Sequence, residues 1–398
     1  MNRIFTLRSL AKALVVAIAI SGLVPTSARA SAEIREKMAK LAEEILKVTK
    51  GEAVTVGVFS PTGLPESNSG PGIEATLRLE LELRKKGIVQ PGAKFEIKGD
   101  YAYARTRDPK LAGLRVIKVS AELIDTEFAE KLLQVPLEVI LDATSSVGQI
   151  LQLTASLPPQ GDKQERNKIL EKCLEHPSVF IDPSRPSLIK SCAESPFAVE
   201  ILAKPLKGHA TAKAQPRAGT AGREGKTGMA FVDIPRDDLY EVKIYNNTNK
   251  EVAVSLAIDG IDVYHFSNER KEDGSPRFSH MIVYPKGHRE PDGKGGFYEY
   301  DGTSTFVGWH KSIGGPNNIL SFLVTEYGKG AASQTGMAAR GKVGIIQLSF
   351  SASRPLPPGT KARAGNETGF GPPRTVEQKA VARDIDPPHE FVSIRYNR

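Results

Sequence analysis

Residues Leu239–Phe266 read LYEVKIYNNTNKEVAVSLAIDGIDVYHF, three strand-like runs separated by two turn signals. Tyr240, Val242 and Ile244 alternate with Glu241 and Lys243, the period-2 pattern of a half-buried strand. Asn246–Asn249 supplies side chains that hydrogen-bond their own backbone and so favour a turn. Val252, Val254, Leu256 and Ile258 restart the alternation. Asp259-Gly260 ends it, a dipeptide suited to a tight hairpin because both positions accept positive φ. The spacing predicts a three-stranded β-meander, and it commits the second half of the chain to antiparallel sheet.

Further short runs follow at Phe278–Tyr284, Thr303–His310, Ile319–Val324 and Val343–Phe350, separated by Gly, Pro and Asn clusters. Strands at this spacing argue for an antiparallel sandwich over residues 229–398, jelly-roll-like in outline. Residues 354–388 are rich in Pro and Gly. Glu390–Tyr396 alternates again, which predicts a final strand returning to protect an open sheet edge.

The N-terminus reads differently. Arg3, Arg8 and Lys12 precede an apolar run, Ala13–Val24, that is too short to span a bilayer, and Ala28-Arg29-Ala30 is a small-x-small cleavage site. Met1–Ala30 is therefore expected to be a secretory signal cut between Ala30 and Ser31, leaving a periplasmic or extracellular protein. Its removal takes away four basic residues and no acid, so the formal net charge of +8 falls to about +4. Much of what remains lies at 203–228, dense in Ala, Gly, Lys and Arg, which predicts a flexible basic linker. Nucleic acid is not an expected partner, and no later run approaches the ~20 apolar residues of a membrane-spanning helix.

Between signal and linker lies a predicted compact α/β domain, residues 31–157. Ile34, Met38, Leu41, Ile45 and Val48 recur at helical spacing, and Ala53–Phe59 is a short β-branched run. Pro71–Lys86 alternates like a strand through its leucines, but its Leu, Glu, Arg and Lys content favours helix, closed by Gly87. Strands are expected at Ala93–Lys98 and Leu114–Ile124, and a helix from Asp142 through Leu157. The succession VTVGVF, FEIKGDY and RVIKVSAELIDTE resembles a bacterial envelope domain found in curli-secretion and flagellar-assembly lipoproteins and in activators of penicillin-binding proteins. The resemblance covers Ser31–Leu157 and implies envelope assembly or protein binding. It carries over no catalytic residue, and the lipobox cysteine of those lipoproteins has no counterpart here. Farther on, FLVTEYGKGAASQ and AGNETGFGPP are similar to an uncharacterised family of exported, β-rich bacterial proteins. Residues 158–202 form a connecting segment with both cysteines, Cys173 and Cys192, and in an exported chain such a pair reads first as a disulfide.

Candidate chemistry is sparse. His265, His280 and His310 fall on predicted strands and His288 in a Gly-rich loop. Three of them gathered together would bind a metal, whereas scattered strand histidines pack or face solvent. Asp301 and Glu326 read either as a carboxylate pair or as solvated turn residues. Trp309, the single tryptophan, is either a core anchor or, with Tyr300 and Tyr327, a binding surface. The overall expectation is an α+β chain acting as an exported, non-enzymatic binding or envelope-assembly protein without a cofactor. Its expected partner is another envelope protein or a cell-surface polymer. The alternative is a carbohydrate-active or metal-dependent hydrolase with its site in the β domain.

Overall fold

The computed structural model describes residues 16–21, 26–62, 72–105, 115–139, 152–158, 163–208, 212–221, 229–272, 274–291, 295–326, 329–331, 344–355, 373–376 and 378–396. It begins with a strand, β1 (Val16–Ser21), whose partners lie far along the chain, and a helix, α1 (Thr26–Val48), which runs without a break through Ala30 and Ser31. Met38, Leu41, Ala42 and Ile45 bury one face of α1, the stripe that a 3.6-residue period produces.

After α1 come β2 (Val54–Thr62), α2 (Gly72–Arg84), β3 (Phe95–Arg105), β4 (Arg115–Asp125) and β5 (Glu130–Val139). The sheet order is β2-β3-β4-β5, with β2 parallel to β3 and the other pairs antiparallel. The leucine-rich segment is helical, as its composition predicts. Ile73, Leu77 and Leu81 are fully buried at i, i+4 and i+8, while Leu83 is exposed. The Glu82 carboxylate accepts the N–H groups of Gly87 (2.8 Å) and Val89 (2.9 Å), so it closes the C-terminal end. At the other end Glu74 accepts the Phe59 N–H at 2.8 Å, where the β2–β3 register shifts. The helix carboxylate thus satisfies a backbone donor that the bulge frees.

The remaining elements are β6 (Ala155–Ser156), α3 (Lys163–Glu175), β7 (Phe180–Ile181), β8 (Ile189–Lys190), β9 (Phe197–Pro205), β10 (Gln215–Pro216), β11 (Gly219–Ala221), β12 (Ala230–Val232) and β13 (Asp238–Asn246). Then follow β14 (Val252–Ile258), β15 (Ile261–Asp262), β16 (His280–Val283), β17 (Arg289–Pro291), β18 (Phe297–Glu299), β19 (Thr303–Phe306), β20 (Gly308–His310) and β21 (Ile319–Leu323). The last are β22 (Ile345–Pro355), β23 (Pro373–Arg374), β24 (Gln378–Ile385) and β25 (Glu390–Arg395). One sheet runs β11-β12-β25-β22-β24-β1-β16-β14-β15, and the other β20-β21-β13-β9-β8-β7. Their facing sides meet in one apolar core that includes Val199, Ile201, Val242, Ile244, Val254, Leu256, Leu348, Phe350, Val392 and Ile394. The architecture is a strand-dominated α+β fold.

Several expectations change. The meander is not one sheet. β13 pairs with β9 over nine residues on one side and with β19 and β21 on the other, so β14 has no free edge to join and crosses to the opposite sheet. Asn246 builds that corner: its Nδ2 donates to Lys250 O (2.8 Å) and Val283 O (2.9 Å), and its Oδ1 accepts the Thr248 N–H. Of the three runs only β14 and β15 form a hairpin, turned by Asp259 (φ 53°) and Gly260 (φ 78°), both in the left-handed region that a type I′ turn requires.

The linker at 203–228 is structured wherever it is described. β9 continues to Pro205, β10 pairs back on it, and β11 joins β12. Ala203 is 1% exposed within the core and Gly219 is buried against Ile189, while Ala218 and Ala221 are exposed on paired or adjoining backbone. The segment 158–202 is likewise built in, through β7, β8 and β9. The helix ending at Leu157 is absent from its described part: after a turn at Gln152 the chain is non-helical to Pro158, with Leu153, Ala155 and Leu157 buried and β6 paired to β25. Residues 140–151 lie outside the described ones. Cys173 and Cys192 are free, half-buried thiols and not a disulfide, although Cys192 is close enough to act electrostatically on Cys173. Their helix and loop are held by other means, such as Arg166 donating to Pro388 O at 2.6 Å. Finally, β25 does not guard an edge. It lies between β22 and β12.

Phe391, fully buried on β25, belongs to the same apolar cluster as the α1, α2 and β2–β4 side chains. Truncating it by Phe391→Ala is expected to cost about 3–5 kcal/mol, the usual loss for a buried aromatic. Because the cluster is shared, thermal unfolding followed by helix circular dichroism and by tryptophan fluorescence should shift downward together. A fall in one signal alone would contradict the shared core.

Candidate functional site

The sandwich disposes of some candidates. Trp309 is 6% exposed, held edge-on by Phe266 (5.2 Å, 86°) and Phe322 (5.4 Å, 84°), so it is a core anchor and leaves the expected binding surface. Tyr327 lies outside the described residues. Asp301 caps its own turn, accepting from Thr303 N and Oγ1 at 2.9 and 2.8 Å, and Glu326 pairs locally with Lys329.

The histidines are distributed among different neighbours. His265 packs edge-on to Phe266 (5.0 Å), and His280 Nδ1 lies 2.8 Å from Ser279 Oγ. His310 is wedged between Tyr264 (5.2 Å) and Phe278 (5.4 Å). Burial pushes all three imidazoles down to about 4, as it does His389. Among the described residues no three His, Cys, Asp or Glu side chains gather as a metal site would require.

Tyr300 does find a constellation. β17 and β18 form a two-stranded hairpin, Arg289↔Glu299 to Pro291↔Phe297, whose base is pinned by Gly287 N to Tyr300 O (2.8 Å) and Tyr300 N to His288 O (2.9 Å). Inside that base, the Tyr284 and His288 rings stack at 4.3 Å and 3°, and Tyr300 tilts against Tyr284 at 4.5 Å. Glu290 ties the phenols: Tyr284 OH donates to Oε1 (2.9 Å), and Tyr300 OH (3.3 Å) and Lys379 Nζ (3.0 Å) donate to Oε2. From β24, Arg383 donates to Tyr284 OH (3.0 Å) and to Glu251 Oε1 (2.6 Å). Burial opposes ionisation of Glu290, but the hydrogen bonds from Lys379 and Tyr284 prevail and hold its carboxyl below the ordinary range. Burial pushes both phenols well up. A carboxylate that stays ionised and phenols that stay protonated form a rigid contact platform. On the hairpin itself Phe297 is 67% exposed.

The run Gly295–Tyr300, GGFYEY, holds three aromatics in four positions, a signal from which this hairpin could have been found. Tyr284, Glu290, Lys379 and Arg383 carry no such mark, because β24 is brought to them only by the topology. A separate cleft of about 330 Å³ opens on the outer face of the first sheet above Gly57 and Gly99. Within its lining Lys98 pairs with Glu96, and Glu122 pairs with Lys131 of β5.

Two further carboxyls are perturbed within the fold. Burial raises Asp262 to about 7 and Asp259 to about 6, and Asp259 accepts the N–H groups of Gly344 (2.6 Å) and Ile345 (2.9 Å). No described helix is long and apolar enough to cross a membrane. The chain matches no protein-family model and no curated protein.

The titrating groups predict acid sensitivity. His265, His280, His310 and His389 bind protons near 6.5 when unfolded and near 4 when folded, so their stabilisation is full above 6.5 and lost as pH falls toward 4. Asp259 and Asp262 act oppositely, favouring the fold at low pH and losing that contribution as pH rises toward about 6 and 7. Four imidazoles outweigh two carboxyls, so the unfolding midpoint should drop on acidification from 6.5 to 4.5. His310→Gln should flatten that dependence by about one proton. Denaturant titrations across this pH range check both.

Proposed function

We propose that this chain is an exported bacterial envelope protein that binds another envelope component, a protein or a cell-surface polymer, without transforming it. The observation that carries the reading is the β17–β18 hairpin, which projects Phe297 into solvent from a base immobilised by the Tyr284–His288–Tyr300 stack. An exposed aromatic on a preorganised support loses little conformational entropy on contact, the property of interface hot spots. The ionised Glu290, satisfied by three donors, fits a contact role better than acid–base catalysis. Export rests on the basic, apolar and Ala-Arg-Ala features of Met1–Ala30. The envelope setting draws also on the resemblance of Ser31–Leu157 to envelope-assembly domains.

A photo-crosslinking amino acid placed at Phe297 in living cells should give a discrete adduct in the envelope fraction. The same probe at Phe128, an equally exposed aromatic of the first unit, serves as control. Tyr300→Ala should weaken the adduct about tenfold or more, as loss of a hot-spot support does. Cytoplasmic retention, or equal labelling from both positions, would sink the reading.

A further inference from the structure

β1 occupies an unusual place. It pairs antiparallel with β16 (Ala17↔Ile282, Ile18↔Met281, Ala19↔His280) and parallel with β24 (Val16↔Gln378 through Ser21↔Arg383). β16 pairs with β14, β14 with β22, and β22 with β24. The five strands therefore close a ring of pairings, with β1 the member that completes it. A small apolar cluster, Ala253, Ile282, Tyr284, Val381 and Ile385, is buried there apart from the main core. Yet β1 lies inside Met1–Ala30, the segment whose sequence marks it for removal.

We propose that the exported chain, once that segment is gone, presents the seam between β16 and β24 as a strand-acceptor groove filled by an extended apolar strand of a partner protein. The inference rests on the export reading above and names what the binding protein takes.

Three observations carry it. First, among the described residues β24 pairs with β22 only through Arg383–Ile385, so Gln378–Ala382 has β1 as its ladder partner. Removing β1 leaves those five residues and the facing edge of β16 with unpaired backbone donors and acceptors, the template that strand addition uses. Second, the cluster beside the seam is apolar, and its members are at most 8% exposed with β1 in place. Third, the walls are fixed independently of β1. β16 is held by β14, and β24 is tied across by Lys379 to Glu290 (3.0 Å), Arg383 to Tyr284 (3.0 Å) and Arg383 to Glu251 (2.6 Å). With β1 absent the walls stand two strand spacings apart, roughly 10 Å, and direct pairing would require one to travel about 5 Å against those ties.

The register also states what fits. The occupant is about six residues long, parallel to β24, and free of proline where the ladder needs an N–H. β1 itself reads VAIAIS, and the positions in register with Ile282 and Val381 are alanines. A strand with small residues at those alternate positions and β-branched residues between them is the matching chemistry.

The test compares the full-length chain with the exported chain purified from periplasm, its start read by N-terminal sequencing. The probe is a synthetic peptide carrying VAIAIS between solubilising lysines. In a chain beginning at Ser31, those amides of Gln378–Ala382 and His280–Ile282 that donate to β1 should exchange at least about a hundredfold faster than in the full-length chain, and the peptide should restore protection. A peptide with the Ile18→Pro change should bind about tenfold more weakly or worse, having lost a ladder donor. Full protection of these amides in a peptide-free monomer would overturn the proposal by showing that the walls pair directly. Protection that accompanies a doubling in mass would overturn it in favour of a second copy as occupant. Failure of the peptide to protect open edges would overturn the strand chemistry while leaving export intact. An exported chain still beginning at Met1 would overturn the groove alone, and a chain retained in the cytoplasm would overturn both readings together.

Discussion

A file of small polar side chains on the outer face of the larger sheet holds the two parts of this protein together. Ser393 donates to Gln152 O at 2.5 Å and lies against Gln347, its backbone N–H reaches Thr154 Oγ1 at 3.1 Å, and Gln347 Nε2 contacts Leu153 O at 3.3 Å. Ser349 meets Ser255 at 2.6 Å in the same layer. These groups are buried, so each unmade bond would carry its full desolvation penalty. The segment Gln152–Pro158 is thereby stitched across β22 and β25, and Leu153, Ala155 and Leu157 are delivered into the cluster that the helices also fill. The stitch works beside Phe391, which reaches from β25 into the same cluster.

The consequence for the sandwich is that β22 is buried from Ile345 through Ser351, with no residue of that stretch facing water. Its first part pairs with β25 and β14, and its last residues with β24. One strand thus joins the main core to the ring that β1 completes, and it places the hairpin aromatics next to the cations of β24.

Local pattern was legible where it is self-sufficient. Helix α2 followed from Leu, Glu, Arg and Lys content against a misleading alternation, and the Asp259-Gly260 hairpin from the φ freedom of its residues. Which sheet a strand enters was not legible, because alternation reports burial on one side and says nothing of the neighbour. β13 and β14 show this: adjacent in sequence, correctly read as strands, and placed in opposite layers because β13 had both edges taken. The segment 203–228 misled for a related reason. Its Ala and Gly content looks too poor to fold, yet the nine-residue ladder between β9 and β13 orders its start. Of the candidate site, Tyr300 was within reach, while Lys379 and Arg383 lie 79 and 83 residues farther along the chain and could be joined to it only by the closing of the ring.

The sole indole, Trp309, sits edge-on between two phenylalanines in the sandwich core, and the helical unit has none. Its emission is therefore a built-in optical reporter for one half of the molecule. An event confined to the helices is dark to it. A spectral change provoked from the helical side must have crossed the junction that Phe391 and the Ser393–Gln152 stitch build, which turns a single native chromophore into a gauge of mechanical coupling between the halves.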